Sequence, residues 1–238
     1  AAIEAGFHSY GISSHSPLPF ETRWSLSKGN VEVYLTEIKR LQEKYAGQIE
    51  LYVGMEIDYL NDDWGPAVEY FQRMPLDYHI GSVHLVTEEQ TGEIMDMDGM
   101  FEDFRENLRL VFHDDLRYLV EAYFKASSRM VELGGFDFVA HLDKISMNGS
   151  LMDSTLTEQE WYNRLLWDYM SLIAKKGVMV EVNTKAYTKK GMMFPNVKYF
   201  KWLKELNIPV MVNSDAHLPQ LVNDNRALAF EWLREVGI

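Results

Sequence analysis

Apolar and polar positions along the chain alternate between two patterns. Six short apolar runs, rich in β-branched residues, have the length and composition of buried strands. The predicted strands span residues 7–15, 49–59, 77–86, 136–143, 178–184 and 208–217. The segments between and after them predict helices at residues 30–47, 62–74, 102–133, 157–177, 196–206 and 218–236, with one or two helices in the third segment.

Several residues at the ends of these helices have the chemistry of helix caps. Asn30 is placed as an N-cap, Gly47 as a helix stop, and Thr157 and Glu160 have the spacing of a capping box. Strands that alternate with helices at this spacing predict βα units and a parallel sheet. The α/β pattern fits a six-stranded doubly wound sheet, and it also fits a barrel whose first strand is missing.

Composition narrows the range of functions. The length of 238 residues suits a single α/β barrel. The formal net charge of −13 disfavours general binding of nucleic acid, because that requires a basic face. The chain has no cysteine, so no disulfide framework can form. No apolar run approaches ~18 residues, so no membrane-spanning helix is expected.

The last predicted strand, IPVMVNSDAH, ends in an acid and an imidazole two positions apart. On a strand, Asp215 and His217 would project from the same face. The other predicted strands end in similar residues, and the carboxyl ends of parallel strands form the active-site edge of α/β folds. The candidate ligands are His15, Glu56, His84, His141, Asp215 and His217. Imidazole and carboxylate suit zinc, iron or manganese, so the set predicts a hydrolytic metal site with room for more than one ion.

These residues also have structural interpretations. A single His at a strand end is more often a hydrogen-bonded core residue, but four in one chain favour ligands. Glu56 lies in an apolar strand, where an unpartnered carboxylate is costly, so a ligand role is favoured. Asp58 has the same parity as Glu56 but could face solvent at the strand end, and we leave it out of the set. Asn183 could orient ligands or substrate, or equally serve as a turn residue.

Six motifs, in this order, resemble the polymerase and histidinol phosphatase (PHP) superfamily. They are GISSHSPLP, GMEIDY, GSVH, AHLD, EVNT and NSDAH, and the resemblance spans residues 1–217. The HSPLP segment is most similar to the monofunctional histidinol-phosphatase branch. The resemblance implies a distorted seven-stranded α/β barrel, similar to a TIM barrel, that holds two or three divalent metal ions. It also implies an activity, hydrolysis of L-histidinol phosphate to L-histidinol and phosphate in histidine biosynthesis, and a cytoplasmic location.

Carried over position by position, the resemblance assigns ligands to ions. Glu56 would bridge two ions, and His84 and His141 would complete the second ion. Asp215 would bind the first ion and help to position or deprotonate the attacking water. The residues implied for the third ion are His15 and His217.

The first residues, AAIEAGF, resemble the tail of a helix that ends at Gly6. Family members begin with a His-x-His motif on their first strand, and this sequence starts beyond it. We therefore expect one PHP-type domain over residues 1–238 that lacks its first strand. The corner of Glu56, His84 and His141 is expected to be complete. The corner of Asp215 and His217 is expected to be depleted of ligands or filled with solvent.

Cationic side chains are expected to bind the remaining phosphate oxygens. The candidates are Lys144, Lys189, Lys190 and Arg23. Lys144 is the strongest because it directly follows the AHLD motif. Family members often carry Arg near these positions, and Lys binds phosphate as a point charge without the planar fork of Arg. Each Lys could otherwise be an ordinary solvated charge.

Three other functions fit part of the pattern. A PHP-type phosphoesterase could act on another phosphomonoester or on a nucleotide. An amidohydrolase-like enzyme usually carries a carboxylated Lys on a strand of a similar barrel, and no Lys lies within a predicted strand here. The third alternative is a non-catalytic metal-binding protein, supported only by the missing strand. The expected partner is a small phosphate ester, with no nucleic acid and no membrane.

Overall fold

Eight strands form two sheets in the computed structural model, which describes residues 1–238. The strands are β1 (Ser9–His15), β2 (Glu50–Asp58), β3 (Tyr78–Ser82), β4 (Leu85–Thr87), β5 (Ile94–Asp96), β6 (Phe138–Val139), β7 (Met179–Asn183) and β8 (Val210–Asn213). Six of them form a parallel sheet in the order β1-β2-β3-β6-β7-β8. The other two, β4 and β5, pair as an antiparallel hairpin.

Helices cover the outer face of the parallel sheet. They are α1 (Val31–Lys44), α2 (Glu69–Gln72), α3 (Phe101–Phe112), α4 (Leu116–Leu133), α5 (Ser146–Met152), α6 (Glu160–Lys176), α7 (Tyr187–Lys190), α8 (Phe200–Glu205) and α9 (Arg226–Val236). The main core lies between the sheet and these helices, and Phe104, Tyr123, Tyr162 and Phe200 are among its fully buried side chains. No helix combines the length and the apolar character needed to cross a membrane.

Strand β2 shows how the sheet separates apolar from polar side chains. Met55 and Ile57 pack with Phe71 of α2 on the outer face. Because successive strand residues point to opposite faces, Glu56 and Asp58 lie on the inner face. The alternating pattern that marks β2 in the sequence therefore directs its two carboxylates away from the helices.

The inner face of the sheet surrounds a cavity of about 1140 Å³. Residues from all six strands line it, including Ser13, Tyr52, Ile80, Phe138, Met179 and Met211. Since one cavity touches both edge strands, β1 and β8, the sheet is curled into a partial barrel with helices outside. The predicted barrel is thus confirmed over the doubly wound alternative, with six of the seven strands that the resemblance implies.

The third predicted strand, residues 77–86, divides into two, so the prediction of one continuous strand was wrong. Strand β3 ends at Ser82, whose carbonyl oxygen accepts a hydrogen bond from Tyr59 N–H at 2.9 Å. His84 N–H then donates to Asp58 Oδ1 at 3.0 Å instead of continuing the ladder. The acidic segment that follows, residues 87–99, contains β5 and completes the β4–β5 hairpin.

The last predicted strand is also shorter than expected, because β8 ends at Asn213. Asn213 C=O accepts the N–H of Thr184 at 3.0 Å, and the hydroxyl of Ser214 then donates to the carbonyl oxygen of Val222 at 2.9 Å. Asp215 lies in the left-handed region with φ of 45°. Asp215 and His217 therefore extend from a loop and do not share one face of a strand.

Helix termini differ from the sequence prediction at several points. Asn30 precedes α1 as predicted, but its side chain makes no capping hydrogen bond. The capping box was wrong: Thr157 lies in a short 3-10 turn, and Gln159 precedes α6 without a side-chain cap. Helix α5 was not predicted.

Candidate metal centre

Glu56 lies at the centre of a cluster of ligand-type side chains at the carboxyl edge of the sheet. Its Oε1 is 3.0 Å from Nε2 of His141 and 3.6 Å from Nε2 of His84. All three side chains are buried, and one ligand atom from each lies within 4.8 Å of the others. Glu56 comes from β2, whereas the two histidines lie in the loops after β3 and β6. One carboxylate and two imidazoles at this spacing form a donor set typical of zinc, iron or manganese.

The side chains in this cluster shift the pKa values of one another. Burial opposes the negative charge of Glu56, but His15, His141 and His84 hold its pKa well below the usual value. Burial also opposes the positive charge of His84, yet the carboxylates of Asp58 and Glu56 outweigh it and raise the His84 pKa to about 9. Burial lowers the pKa of His141. A neutral imidazole is the form that binds a metal ion, so His141 is ready to act as a ligand.

Asp58 was left out of the predicted site, and it contacts His84 directly. It is fully buried, and its Oδ1 lies 2.8 Å from His84 Nδ1 while also accepting the His84 backbone N–H. This contact favours a proton on Nδ1 and leaves Nε2 free to face Glu56. The shared parity of Asp58 and Glu56 on β2 was the signal for this role. The missing information was that the next loop folds back over the strand end.

His15 borders the same cluster from the end of β1. It pairs in register with Glu56, and its Nδ1 is 3.7 Å from Glu56 Oε2. This Nδ1 and Asp58 Oδ2 are buried without a hydrogen-bond partner. His15, Asp58 and His84 form a second group whose ligand-type atoms lie within 4.8 Å of one another. Unpartnered buried polar atoms of this type are unfavourable, and a divalent cation would satisfy them. The residues present therefore fit a metal ion beside Glu56.

Asp215 and His217 form a second corner of the site. Lys185 Nζ lies 3.2 Å from Asp215 Oδ2 and 3.2 Å from His217 Nε2. Asn183 Nδ2 also donates to Asp215 Oδ2, at 3.1 Å. The His217 ring centroid is 6.3 Å from that of His15, which places this corner next to the Glu56 cluster. The sequence predicted that this corner is depleted of ligands or filled with solvent, and the structure places a cationic side chain of the protein, Lys185, in contact with it.

Glu181 lies between the Glu56–His84–His141 corner and the Asp215–His217 corner and is hydrogen-bonded to residues of both sides. It is buried and accepts hydrogen bonds from the backbone N–H of His141 and from Asn183 Nδ2, both at 3.0 Å. Burial raises its pKa to about 7, and the nearby carboxylates of Asp215 and Glu56 add to this effect. Glu181 therefore fixes the loop that carries His141. Glu181 lies on β7 and was not among the predicted site residues.

The four candidate phosphate-binding cations separate into two groups. Lys144 is buried, and its Nζ lies 3.2 Å from Asp98 Oδ2. Lys189 and Lys190 are exposed at the end of α7, and Arg23 is exposed in the loop after β1. Only Lys144 among the four is enclosed near the loop of His141.

Comparison with known proteins identifies the family. The PHP domain family model matches residues 1–185 of the chain. This chain belongs to the PHP domain family. The motifs from GISSHSPLP to EVNT lie inside the matched range, and NSDAH lies just beyond it.

Two relatives of this PHP protein are similar to it over most of their length. A Deinococcus radiodurans protein named "Probable histidinol-phosphatase" is 25% identical over 245 residues, which cover 100% of this chain and 85% of the relative. The Bacillus subtilis "Histidinol-phosphatase" is 24% identical over 239 residues, covering 91% of this chain and 84% of the relative. The branch predicted from the motifs is confirmed.

Two solved structures share the fold of this PHP protein. A Listeria monocytogenes protein named for histidinol phosphatase activity has a TM-score of 0.78 and 22% identity, covering 95% of this chain and 90% of that one. The Lactococcus lactis histidinol phosphate phosphatase has a TM-score of 0.71 and 19% identity, covering 100% and 85%. The Lactococcus structure contains zinc, L-histidinol and phosphate. These similarities confirm the distorted barrel of the PHP family.

Proposed function

We propose that this PHP protein is a metal-dependent phosphomonoesterase that hydrolyses L-histidinol phosphate to L-histidinol and phosphate, a step of histidine biosynthesis. The observation that carries the proposal is the buried cluster of Glu56, His84 and His141 at the carboxyl edge of the barrel. Similarity to histidinol phosphatases over 84–85% of their length supports the choice of substrate. The Lactococcus structure, with its zinc, L-histidinol and phosphate, supports both the metal and the substrate class.

The proposed ligands surround Glu56. Glu56, His84 and His141 would hold one divalent ion, and His15, whose Nδ1 is 3.7 Å from Glu56 Oε2, would contribute to holding a second. Asp215 and His217 are the remaining candidate ligands, for two or three ions of zinc, manganese or iron in total. A bound ion would supply positive charge to the phosphoryl oxygens and lower the pKa of a coordinated water.

The other side chains position the reactants. We assign Asp215 to orient the attacking water, and Asn183 to hold Asp215 through the 3.1 Å hydrogen bond. Lys144 offers a charge for the phosphate and is held by Asp98. Lys189, Lys190 and Arg23 are too exposed to be assigned the same function. In the reaction, water forms a new P–O bond while the ester P–O bond breaks, and the leaving histidinol oxygen takes up a proton.

We propose that residues 1–238 act as a single PHP-type domain. One curled sheet carries every candidate ligand at one edge, and one continuous cluster of 34 buried residues packs behind it. The amidohydrolase alternative gains no support, because none of the six strands of the sheet contains a lysine.

A panel of phosphate esters tests the proposed substrate. We expect kcat/KM for L-histidinol phosphate to exceed that for p-nitrophenyl phosphate by at least ~100-fold, since a site that pairs polar groups of its substrate rejects analogues that lack them. If p-nitrophenyl phosphate is hydrolysed equally well, the histidine-pathway assignment fails. A preference for a nucleotide would favour a different PHP-type phosphoesterase.

A further inference from the structure

Lys185 is a cationic residue at the candidate metal centre that the motifs did not reveal. It lies two residues past the end of β7, where its backbone N–H donates to Asn183 Oδ1 at 3.1 Å. Its Nζ lies 3.2 Å from Asp215 Oδ2 and 3.2 Å from His217 Nε2. The ammonium group thus contacts the two ligand-type side chains of the second corner at the same time.

The atoms that contact Lys185 are those that a metal ion would use. An ammonium group has only donors, so His217 Nε2 presents its lone pair to Lys185. The opposite ring nitrogen, Nδ1, lies 3.0 Å from the carbonyl oxygen of Asp215, which places the proton there. This is the tautomer of a histidine that binds a cation through Nε2. Asp215 Oδ2 similarly offers its negative charge to the ammonium.

The neighbours of this corner would suit a divalent ion if the ammonium were removed. The His217 ring is 6.3 Å from the His15 ring, and Asn183 orients Asp215. Without the ammonium, the carboxylate of Asp215 and the imidazole of His217, whose Nδ1 is 3.4 Å from Asp215 Oδ1, would remain beside the His15 ring. A divalent cation and an ammonium cannot share these atoms, because like charges at such a distance repel strongly in a partly buried site.

We propose that Lys185 is a built-in cation that occupies the Asp215–His217 corner and keeps its affinity for divalent ions low. The inference rests on the proposed metal centre and adds the order in which its two corners bind divalent ions. The Glu56–His84–His141 corner binds a divalent ion first, and the Asp215–His217 corner binds one only in competition with Lys185. The ammonium group of Lys185 thereby neutralises the negative charge of Asp215 in place of a bound ion.

Metal titration without any substrate tests this proposal. Lys185→Met keeps much of the length of the side chain and removes its charge. We expect this variant to bind one more equivalent of Mn²⁺ per chain than the wild type, or to bind the weakest equivalent at least ~10-fold more tightly. Lys185→Arg keeps the charge and is expected to resemble the wild type. Lys201→Met removes an exposed charge from α8 and should leave Mn²⁺ binding unchanged.

Further variants test whether any gain in Mn²⁺ binding arises at the Asp215–His217 corner. In Lys185→Met/His217→Ala the additional Mn²⁺ binding should disappear, and its persistence would overturn the proposal. Lys185→Gln repeats the experiment with a different neutral residue in case Lys185→Met is unstable. Unchanged Mn²⁺ binding in both neutral variants, with binding still abolished by Glu56→Gln, would overturn the inference and leave the metal centre intact. Absence of Mn²⁺ binding in all proteins, the wild type included, would overturn the metal centre and the inference together.

Discussion

At the scale of single residues, Asp58 contacts the candidate metal site through a histidine. Its Oδ1 contacts both Nδ1 and the backbone N–H of His84, at 2.8 Å and 3.0 Å. The carboxylate therefore orients the imidazole and increases the basicity of Nε2, which faces Glu56. Asp58 acts through His84 and is a positioning residue in this account.

Replacing Asp58 is expected to weaken metal binding before it affects folding. We predict a loss of ~10–100-fold in Mn²⁺ or Zn²⁺ affinity for Asp58→Ala, with a smaller loss for Asp58→Asn, since the amide oxygen can still accept from His84. Excess metal should restore the activity of Asp58→Asn. The exposed Asp63→Asn serves as the matched control. Equal metal affinity in Asp58→Ala and the wild type would refute the positioning role.

Asp143 gives a pH-dependent prediction at the same scale. It is fully buried, its Oδ2 accepts the backbone N–H of Asn196 at 3.0 Å, and its Oδ1 has no partner. Burial raises its pKa to about 7. The folded state therefore holds the proton more tightly than the unfolded chain, so this contribution to stability is full below about pH 4 and is lost as the pH rises through about 7.

Asp143→Asn should remove that loss, because an amide carries no charge at any of these pH values. Relative to the wild type, the free energy of unfolding of Asp143→Asn is expected to rise between pH 5 and pH 8 by on the order of 1–4 kcal/mol. Urea unfolding at both pH values in the presence of EDTA measures this difference. Asp168→Asn, at an exposed position of α6, is the control. Identical pH slopes for Asp143→Asn and the wild type would contradict the assignment.

At the scale of elements, the pattern of apolar runs located all six strands of the barrel but misplaced where they end. Polar pairings between distant segments decide those ends: Asp58 with the loop of His84, and Thr184 with Asn213. The residue types of the metal cluster could be predicted because they follow apolar runs. Lys185 directly follows the EVNT motif, as Lys144 follows AHLD, and this signal was overlooked; the contact of its ammonium group with Asp215 and His217 appears only in the fold.

The interior of the barrel depends on two glycines that leave room for one aromatic ring. A Cβ at Gly54 would collide with the Tyr78 ring, and a Cβ at Gly11 would collide with the Tyr78 hydroxyl. Gly11 lines the cavity from β1, Gly54 on β2 has the same parity as Glu56, and Tyr78 of β3 pairs in register with Gly54. Close contact between the Tyr78 ring and the backbones of Gly11 and Gly54 is thus part of how these three strands pack.

Substitution of these glycines should destabilise the barrel in different ways. Gly54→Ala and Gly11→Ala are each expected to lower the free energy of unfolding by about 1–3 kcal/mol, as overpacking does. Tyr78→Phe removes the hydroxyl, so it should reduce the effect of Gly11→Ala and leave that of Gly54→Ala. Gly29→Ala, which has open space around it, should change stability little. If Tyr78→Phe changed the stability of both alanine variants equally, Tyr78 would not contact the two glycines in the way described above.

At the scale of the whole molecule, a strongly acidic chain would have to attract the anionic substrate that we propose. The formal net charge is −13, and many of the acidic residues lie on the surface. Long-range attraction therefore cannot bring a phosphate ester to the site. Local positive charge has to do so, from bound divalent ions, Lys144 and Lys185. This requirement makes the activity of the whole protein dependent on its metal centre.

Phosphate release from L-histidinol phosphate, followed as metal is removed and restored, tests the central claim most directly. Wild-type protein loaded with Zn²⁺ or Mn²⁺ should release phosphate, lose that activity in EDTA, and regain it when metal returns. His141→Ala should lose at least ~100-fold in kcat/KM while keeping its fold, because it removes a ligand beside Glu56. Activity that persists in EDTA, or that His141→Ala retains in full, would contradict the account.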